Sequence, residues 1–211
     1  MDYSTIILCA GKGSRSGLNY NKMLYRFQDK TVYEMTMELF LNDKRCKQII
    51  VVTKKDEIND LKKLIMSNKI EYIFGGQERQ DSVYNGLQVV NQNYVLIHDG
   101  ARPYLKIENV NDLLSCLKSN DACLLSVPVK DTIKVCKDGK VLETLPRTML
   151  MQAQTPQAFK TSLIKECYQL GKDNNVMATD DTSLVEKFKN IEIKTVMGSY
   201  DNIKITTPED L

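Results

Sequence analysis

The sequence is short of the residues that build metal centres and membrane spans. It has a single histidine, His98, and its six cysteines (Cys9, Cys46, Cys116, Cys123, Cys136 and Cys167) are scattered with no Cys-x-x-Cys pair. That argues against a zinc site, and the thiols read as reduced core residues of a cytoplasmic protein. No apolar run approaches the roughly 20 residues that cross a bilayer. Residues 1–10 carry neither a basic lead nor a cleavage site, so no signal peptide is expected. The net charge is +2, too near neutral to imply a nucleic-acid or membrane partner. A nucleophile–His–acid triad around His98 lacks a Gly-x-Ser-x-Gly elbow, and a packing histidine at a strand end is the simpler reading. No internal repeat, low-complexity segment or interdomain linker is visible.

What is present is a pattern of buried strands alternating with amphipathic helices. The 211 residues suit one domain with a sizeable core. Strands are read at Thr5–Ala10, Ile49–Val52, Ile70–Phe74, Tyr94–Ile97, Ala122–Val127 and Ile191–Met197, with a short one at Asn202–Ile205. Helices are read at Thr31–Phe40, Asp56–Ser67, Ser82–Val90 with Asp81 as its cap, around Val110–Leu117, Lys160–Leu170 and Thr182–Phe188. Thr207–Leu211 looks like a helix start. Such alternation implies an α/β fold with a mostly parallel sheet covered on both faces. Residues 129–152 break the pattern: two polar strands flank an Asp138-Gly139 turn, which predicts a β-hairpin arm. A lone hairpin is marginal, so the arm is expected to pack against something, a second subunit being the natural candidate.

In an open α/β sheet, ligands bind beyond the carboxyl ends of the strands. The first strand delivers Gly11-Lys12-Gly13-Ser14-Arg15-Ser16-Gly17, with Lys22 just after. This is not a Walker loop, and it misses the dinucleotide fingerprint by one place. It fits either a polyphosphate cradle or a tight strand-to-helix turn with solvated cations. The third strand delivers Gly75-Gly76-Gln77-Glu78-Arg79-Gln80-Asp81-Ser82, where Ser82 caps a helix, contacts a nucleotide, or both. The fourth delivers His98-Asp99-Gly100-Ala101-Arg102-Pro103. There Asp99 reads as a ligand of Mg²⁺ or substrate, or as a cap or ion-pair partner of Arg102.

Taken together, these loops are more specific than any one of them. The chain resembles the 2-C-methyl-D-erythritol 4-phosphate cytidylyltransferase family. The matching stretches are Ala10-Gly11-x-Gly13-x-Arg15, Asn21-Lys22-Met23, Gly75-Gly76-x-Glu78-Arg79-Gln80-x-Ser82-Val83 and His98 to Pro103. Val129 to Lys134, Gln154 to Phe159, Thr179-Asp180-Asp181-x-Ser183-Leu184-Val185-Glu186 and Asn202 to Asp210 complete them. The resemblance implies a Rossmann-like nucleotidyltransferase (GT-A-like) fold, a homodimer joined through the β-arm, and a divalent cation, normally Mg²⁺. It implies cytidylyl transfer from CTP to methylerythritol phosphate with release of pyrophosphate.

By the same match, Arg15 and Lys22 stabilise the transition state, and Arg147 and Lys204 position the sugar phosphate. Cys9, Ala10, Gly11, Gly13, Gly76 and Ser82 hold the nucleotide. Asp99, Arg102, Thr132 and Thr155 line the reacting groups, with Asp99 also the metal ligand. Asn21 stands where many members have proline, which is expected to free that loop slightly; Cys9 and Ser16 are further departures. A ribitol 5-phosphate cytidylyltransferase and a nucleotide-binding scaffold or sensor without turnover are the competing readings.

Overall fold

A computed structural model describes residues 1–11 and 16–211. Its centre is a seven-stranded sheet. β1 (Tyr3–Leu8), β4 (Cys46–Thr53), β5 (Ile70–Phe74), β6 (Tyr94–Asp99), β7 (Ala122–Pro128) and β11 (Lys194–Met197) run parallel, and β10 (Met151–Lys160) runs antiparallel between β6 and β7. The order is β11-β7-β10-β6-β1-β4-β5. The chain builds outward from β1 to β5, then returns to lay β6 on the other side of β1. That reversal opens a crevice at the carboxyl ends of β1 and β6. β2 (Arg26–Phe27) pairs with β3 (Lys30–Thr31), and β8 (Lys134–Lys137) pairs with β9 (Lys140–Thr144), outside the main sheet.

Successive strand residues face opposite layers, and each layer is closed by helices. Tyr3 and Ile7 of β1 pack in one core with Val32, Tyr33, Met37 and Phe40 from α1 (Val32–Asn42) or its first turn, Leu61 of α2 (Ile58–Leu64), and Val110 and Leu113 of α4 (Ile107–Cys116). Ile6 packs in the other with Val83 and Leu87 of α3 (Arg79–Gln88), Ile164 and Tyr168 of α5 (Thr161–Asp173), and Leu184 of α6 (Asp181–Phe188). Thr31 caps α1: its hydroxyl accepts from the Glu34 amide at 3.1 Å while Glu34 reaches back to the Thr31 amide at 2.7 Å.

Several local expectations are corrected. β10 was not anticipated, because Gln-Ala-Gln-Thr-Pro-Gln lacks β-branched density and contains Pro156. A register shift between Ala153 and Gln157 accommodates that stretch. The helix expected over 56–67 begins as a 3₁₀ turn at Lys55–Glu57 and ends at Leu64. α3 starts three residues early, with Glu78 at its N-cap and Asp81 inside its first turn, so Asp81 is not the cap. Residues 191–193 precede β11, and Asn202–Ile205 is not a strand, although the Ile205 amide bonds the Ala101 carbonyl at 2.8 Å. Cys116 and Cys123 are joined as a disulfide between the end of α4 and the start of β7, against the expectation of reduced core thiols; Cys9, Cys46 and Cys167 are free and buried, while Cys136 is free but exposed on the arm.

Candidate active site

A cleft of about 740 Å³ lies over the carboxyl ends of β1, β4, β5 and β6. Cys9, Ala10 and Gly11 line one wall; Gly75, Gly76, Arg79 and Ser82 line another; Asp99, Lys22, Lys54 and Lys204 also face it. The glycine pair lets the chain run tight against the start of α3. A Cβ at Gly76 would stand 2.1 Å from that of Asp81. The Ser82 hydroxyl accepts from the Gly76 amide at 3.1 Å and donates to the Glu78 carbonyl at 3.2 Å, fixing the turn to the helix. Asp81 accepts from the Glu78 amide at 3.0 Å.

Asp99 ends β6 and is the electrostatic centre. Its carboxylate is 2.7 Å from Lys204 Nζ, 3.4 Å from Arg79 Nε and 4.0 Å from Arg102 Nε. Burial alone would raise its pKa, but Arg79, Lys204 and Arg102 together hold the carboxyl well below the usual range. Arg79 is itself clamped: its two terminal nitrogens each lie 2.8 Å from the fully buried Asp181 at the start of α6. Tyr168 of α5 donates its hydroxyl to the same carboxylate, and the Asp181 amide donates to Gln157 of β10 at 3.1 Å. The guanidinium fork is thus spent on Asp181, and the Nε edge is left toward Asp99 and the cleft.

His98 is fully buried, and burial, opposed by the Asp99 charge, pushes its pKa down to about 4. Its ring contacts the Thr155 hydroxyl at 3.1 Å and the Arg102 carbonyl at 3.2 Å, while that hydroxyl accepts from the Asp99 amide at 3.0 Å. These roles agree only if the neutral ring donates to Arg102 and accepts from Thr155. His98 is therefore a packing group that steadies the turn after β6.

The residues singled out from the sequence fall into three groups. Cys9, Ala10, Gly11, Lys22, Gly76, Ser82, Asp99 and Lys204 meet in the cleft. Arg102 and Thr155 stand behind it: Arg102 donates to the Asn202 carbonyl at 2.6 Å, and Thr155 holds His98 and Asp99. Thr132 and Arg147 are exposed on the arm, with Arg147 donating to the Lys130 carbonyl at 2.7 Å, and neither lines the cleft. Gly13 and Arg15 lie outside the described residues. Lys54, Arg79 and Asp181 were not assigned from the sequence. Arg79 and Asp181 lie inside stretches that carry the family resemblance, but only the fold reveals that they grip each other across 102 positions.

Among the described residues, no group of three or more His, Cys, Asp or Glu is gathered to hold a metal. One carboxylate in a glycine- and lysine-lined cleft still fits Mg²⁺, which commonly takes one or two carboxylates and completes its shell with substrate phosphates and water. No helix among those residues is long and apolar enough to cross a membrane.

A glycine-lined cleft with a clamped arginine, three lysines and Asp99 at the switch point of a mostly parallel sheet is the arrangement of an α/β protein of the nucleotidyltransferase type. The family model described as 2-C-methyl-D-erythritol 4-phosphate cytidylyltransferase matches residues 3–211. The protein of that name from Clostridioides difficile is 42% identical over 215 residues, spanning 99% of this chain and 90% of that one. Its counterpart from Bacillus cereus (strain ATCC 14579) is 42% identical over 214 residues, spanning 99% and 94%. A solved 4-diphosphocytidyl-2C-methyl-D-erythritol synthase from Anaerococcus prevotii superposes with a TM-score of 0.87 at 33% identity, over 99% of this chain and 94% of that one. The chain belongs to the 2-C-methyl-D-erythritol 4-phosphate cytidylyltransferase family. Its activity is CTP-dependent cytidylyl transfer in isoprenoid biosynthesis.

Proposed function

We propose that this cleft joins CTP to 2-C-methyl-D-erythritol 4-phosphate, with the residues above in defined roles. The observation that carries the proposal is the setting of Asp99, a carboxylate whose pKa three neighbouring cations hold low, in the lining of a glycine-walled cleft. The attacking phosphate monoester is largely a dianion at neutral pH, since its second pKa is about 6. It needs no protein nucleophile, which agrees with a buried, neutral His98. A phosphate oxygen forms a bond to the α-phosphorus of CTP, and the bond to the bridging oxygen breaks, releasing pyrophosphate with the electron pair.

The obstacle is the meeting of two polyanions, and fixed cations are the remedy. Lys22, together with Arg15, stabilises charge on the α-phosphate and the leaving group. Lys204, held on Asp99, receives the sugar phosphate. Cys9 to Gly11, Gly13, Gly76 and Ser82 bind the nucleotide, and Arg102 and Thr155 keep Asp99 in place. Mg²⁺, bound by Asp99 and the triphosphate, would neutralise phosphate charge. We place the reaction in the cytoplasm, on the chemistry of its nucleoside triphosphate donor.

Thr132 and Arg147 belong to this site if the arm of a second copy delivers them. The arm exposes Val141, Leu142 and Met149, at 60%, 63% and 80%, an apolar surface that a two-fold partner would cover. Pyrophosphate release with CTP and either methylerythritol phosphate or ribitol 5-phosphate tests the substrate; turnover only with the latter, or with neither, overturns it. Arm exchange is tested by mixing. Lys22→Ala and Arg147→Ala homodimers should each be nearly inactive. After joint unfolding and refolding, about half the dimers are mixed and carry one intact site, so about a quarter of wild-type activity returns. No recovery, with mixed dimers confirmed by mass, rejects the exchange.

A further inference from the structure

We propose that Glu57, acting through Asn21, is a positioning residue for Lys22. The inference rests on the reading of Lys22 as a transition-state partner. Lys22 opens a single 3₁₀ turn, Lys22–Leu24, with no longer helix to hold it. Its amine donates to the Ile205 carbonyl at 2.5 Å. Its backbone is set by the preceding residue.

Asn21 is 6% exposed, and its side chain is fully employed. The amide oxygen accepts from Met23 N at 3.0 Å, closing the turn. The amide nitrogen donates to the Cys9 carbonyl at 2.9 Å and to Glu57 Oε2 at 2.7 Å. One side chain therefore joins the end of β1, the Lys22 turn and the loop after β4. The segment, expected to be slightly freed by asparagine in place of proline, is tied at three points by that side chain.

Glu57 completes the strut. Its Oε2 also accepts from the Thr53 hydroxyl at 3.2 Å, and its Oε1 lies 2.9 Å from Lys54 Nζ. Lys54 lines the same cleft as Lys22. A carboxylate beneath a polyanion site opposes its ligand electrostatically. Here it is 15% exposed, paired with Lys54 and bonded to Asn21, so it orients two cleft lysines from below.

The chemistry of the pair supplies the test. Asn21→Asp keeps the cap to Met23 but sets an acceptor against both the Cys9 carbonyl and Glu57. Glu57→Gln still offers an oxygen to Asn21 and costs less. Combined, the two substitutions exchange donor and acceptor. Steady-state pyrophosphate release with varied CTP should show kcat of Asn21→Asp down by about 10–10²-fold, the order expected of a misplaced group. KM for CTP should stay within roughly threefold, and the double variant should regain about tenfold.

Asn21→Ala, which removes the strut without adding charge, is read alongside in case Asn21→Asp does not fold. The link is overturned if Asn21→Ala turns over within twofold of wild type. It is also overturned if the loss lies in KM, or if a folded double variant is no better than Asn21→Asp. Lys22→Ala separates the two layers of argument. A loss of about 10²–10³-fold there, beside normal Asn21 variants, refutes the strut alone. Near-normal turnover of Lys22→Ala refutes the role of Lys22 and the strut with it.

Discussion

The cleft and the arm are built on opposite principles. Around the cleft, key polar groups are buried and gripped by others: Asp181 by Arg79 and Tyr168, Asp99 by Lys204 and Arg79, Asn21 by three partners. On the arm, β8 and β9 are exposed along their whole length, and Val141 and Leu142 face outward. The cleft is preassembled by the packing of one chain. The arm is a surface that the packing of that chain leaves uncovered. A nucleotidyltransferase needs fixed charges where phosphorus changes partners, and only a packed body supplies them.

The sharpest way to break this contrast is to remove the clamp at its most buried point. Asp181→Asn leaves the Arg79 fork facing a neutral amide at a fully buried position. Breaking a buried pair from one side costs about 3–5 kcal/mol. Urea unfolding should show a loss of that order, and kcat should fall as Arg79 loses its bearing on Asp99. A loss under 1 kcal/mol would mean that the cleft is no more preassembled than the arm.

The same contrast explains what the sequence discloses. The cleft loops are legible because glycines and charges follow apolar strands, so Gly76 and Asp99 stand out before any fold is known, whereas Lys204 is reached only through the family resemblance. The Asp138-Gly139 turn is legible because both residues need positive φ, and they take 50° and 75°. What stays hidden is pairing at a distance. β10 reads as a polar loop until β6 and β7 bracket it, because its hydrogen bonds go to neighbours rather than along a patterned face. Asn21 reads as a loosened turn until Glu57, 36 residues on, is seen to meet it. Asp81 reads as a cap because one carboxylate at a helix start resembles another, and geometry alone gives that place to Glu78.

A smaller effect tests the body through its acid sensitivity. Asp180 caps α6, accepting from the Ser183 amide at 2.9 Å, the Thr182 hydroxyl at 2.9 Å and Gln157 Nε2 at 2.7 Å. Burial would raise its pKa, but these bonds outweigh burial and lower it. The unfolded chain then takes up this proton first as pH falls. The stabilisation is present above the ordinary carboxylate pKa of about 4 and is lost as pH drops through the lower folded value. Asp180→Ala should cost about 1–2 kcal/mol at pH 6, and the gap to wild type should narrow by pH 3. A gap that holds or widens would show that the carboxylate is not what secures the helix.

The smallest effect belongs to the arm and decides whether it stands apart from the body. Gly139 sits at φ +75° with nothing within 4 Å of the position a Cβ would take, so a side chain there meets backbone strain and no steric clash. Gly139→Ala should cost about 1 kcal/mol in the hairpin itself, the penalty of the left-handed region for a residue with a Cβ. In a cooperative body of this size, that much would lower the melting temperature by about 2–4 °C. An arm that opens independently passes little of it on. The melting temperature of the dilute protein should therefore move by less, while amide exchange quickens across Lys134–Thr144. Gly139→Asn should sit between the two, since asparagine tolerates this conformation. A full shift in melting temperature with exchange unchanged would show that arm and cleft fold as one unit.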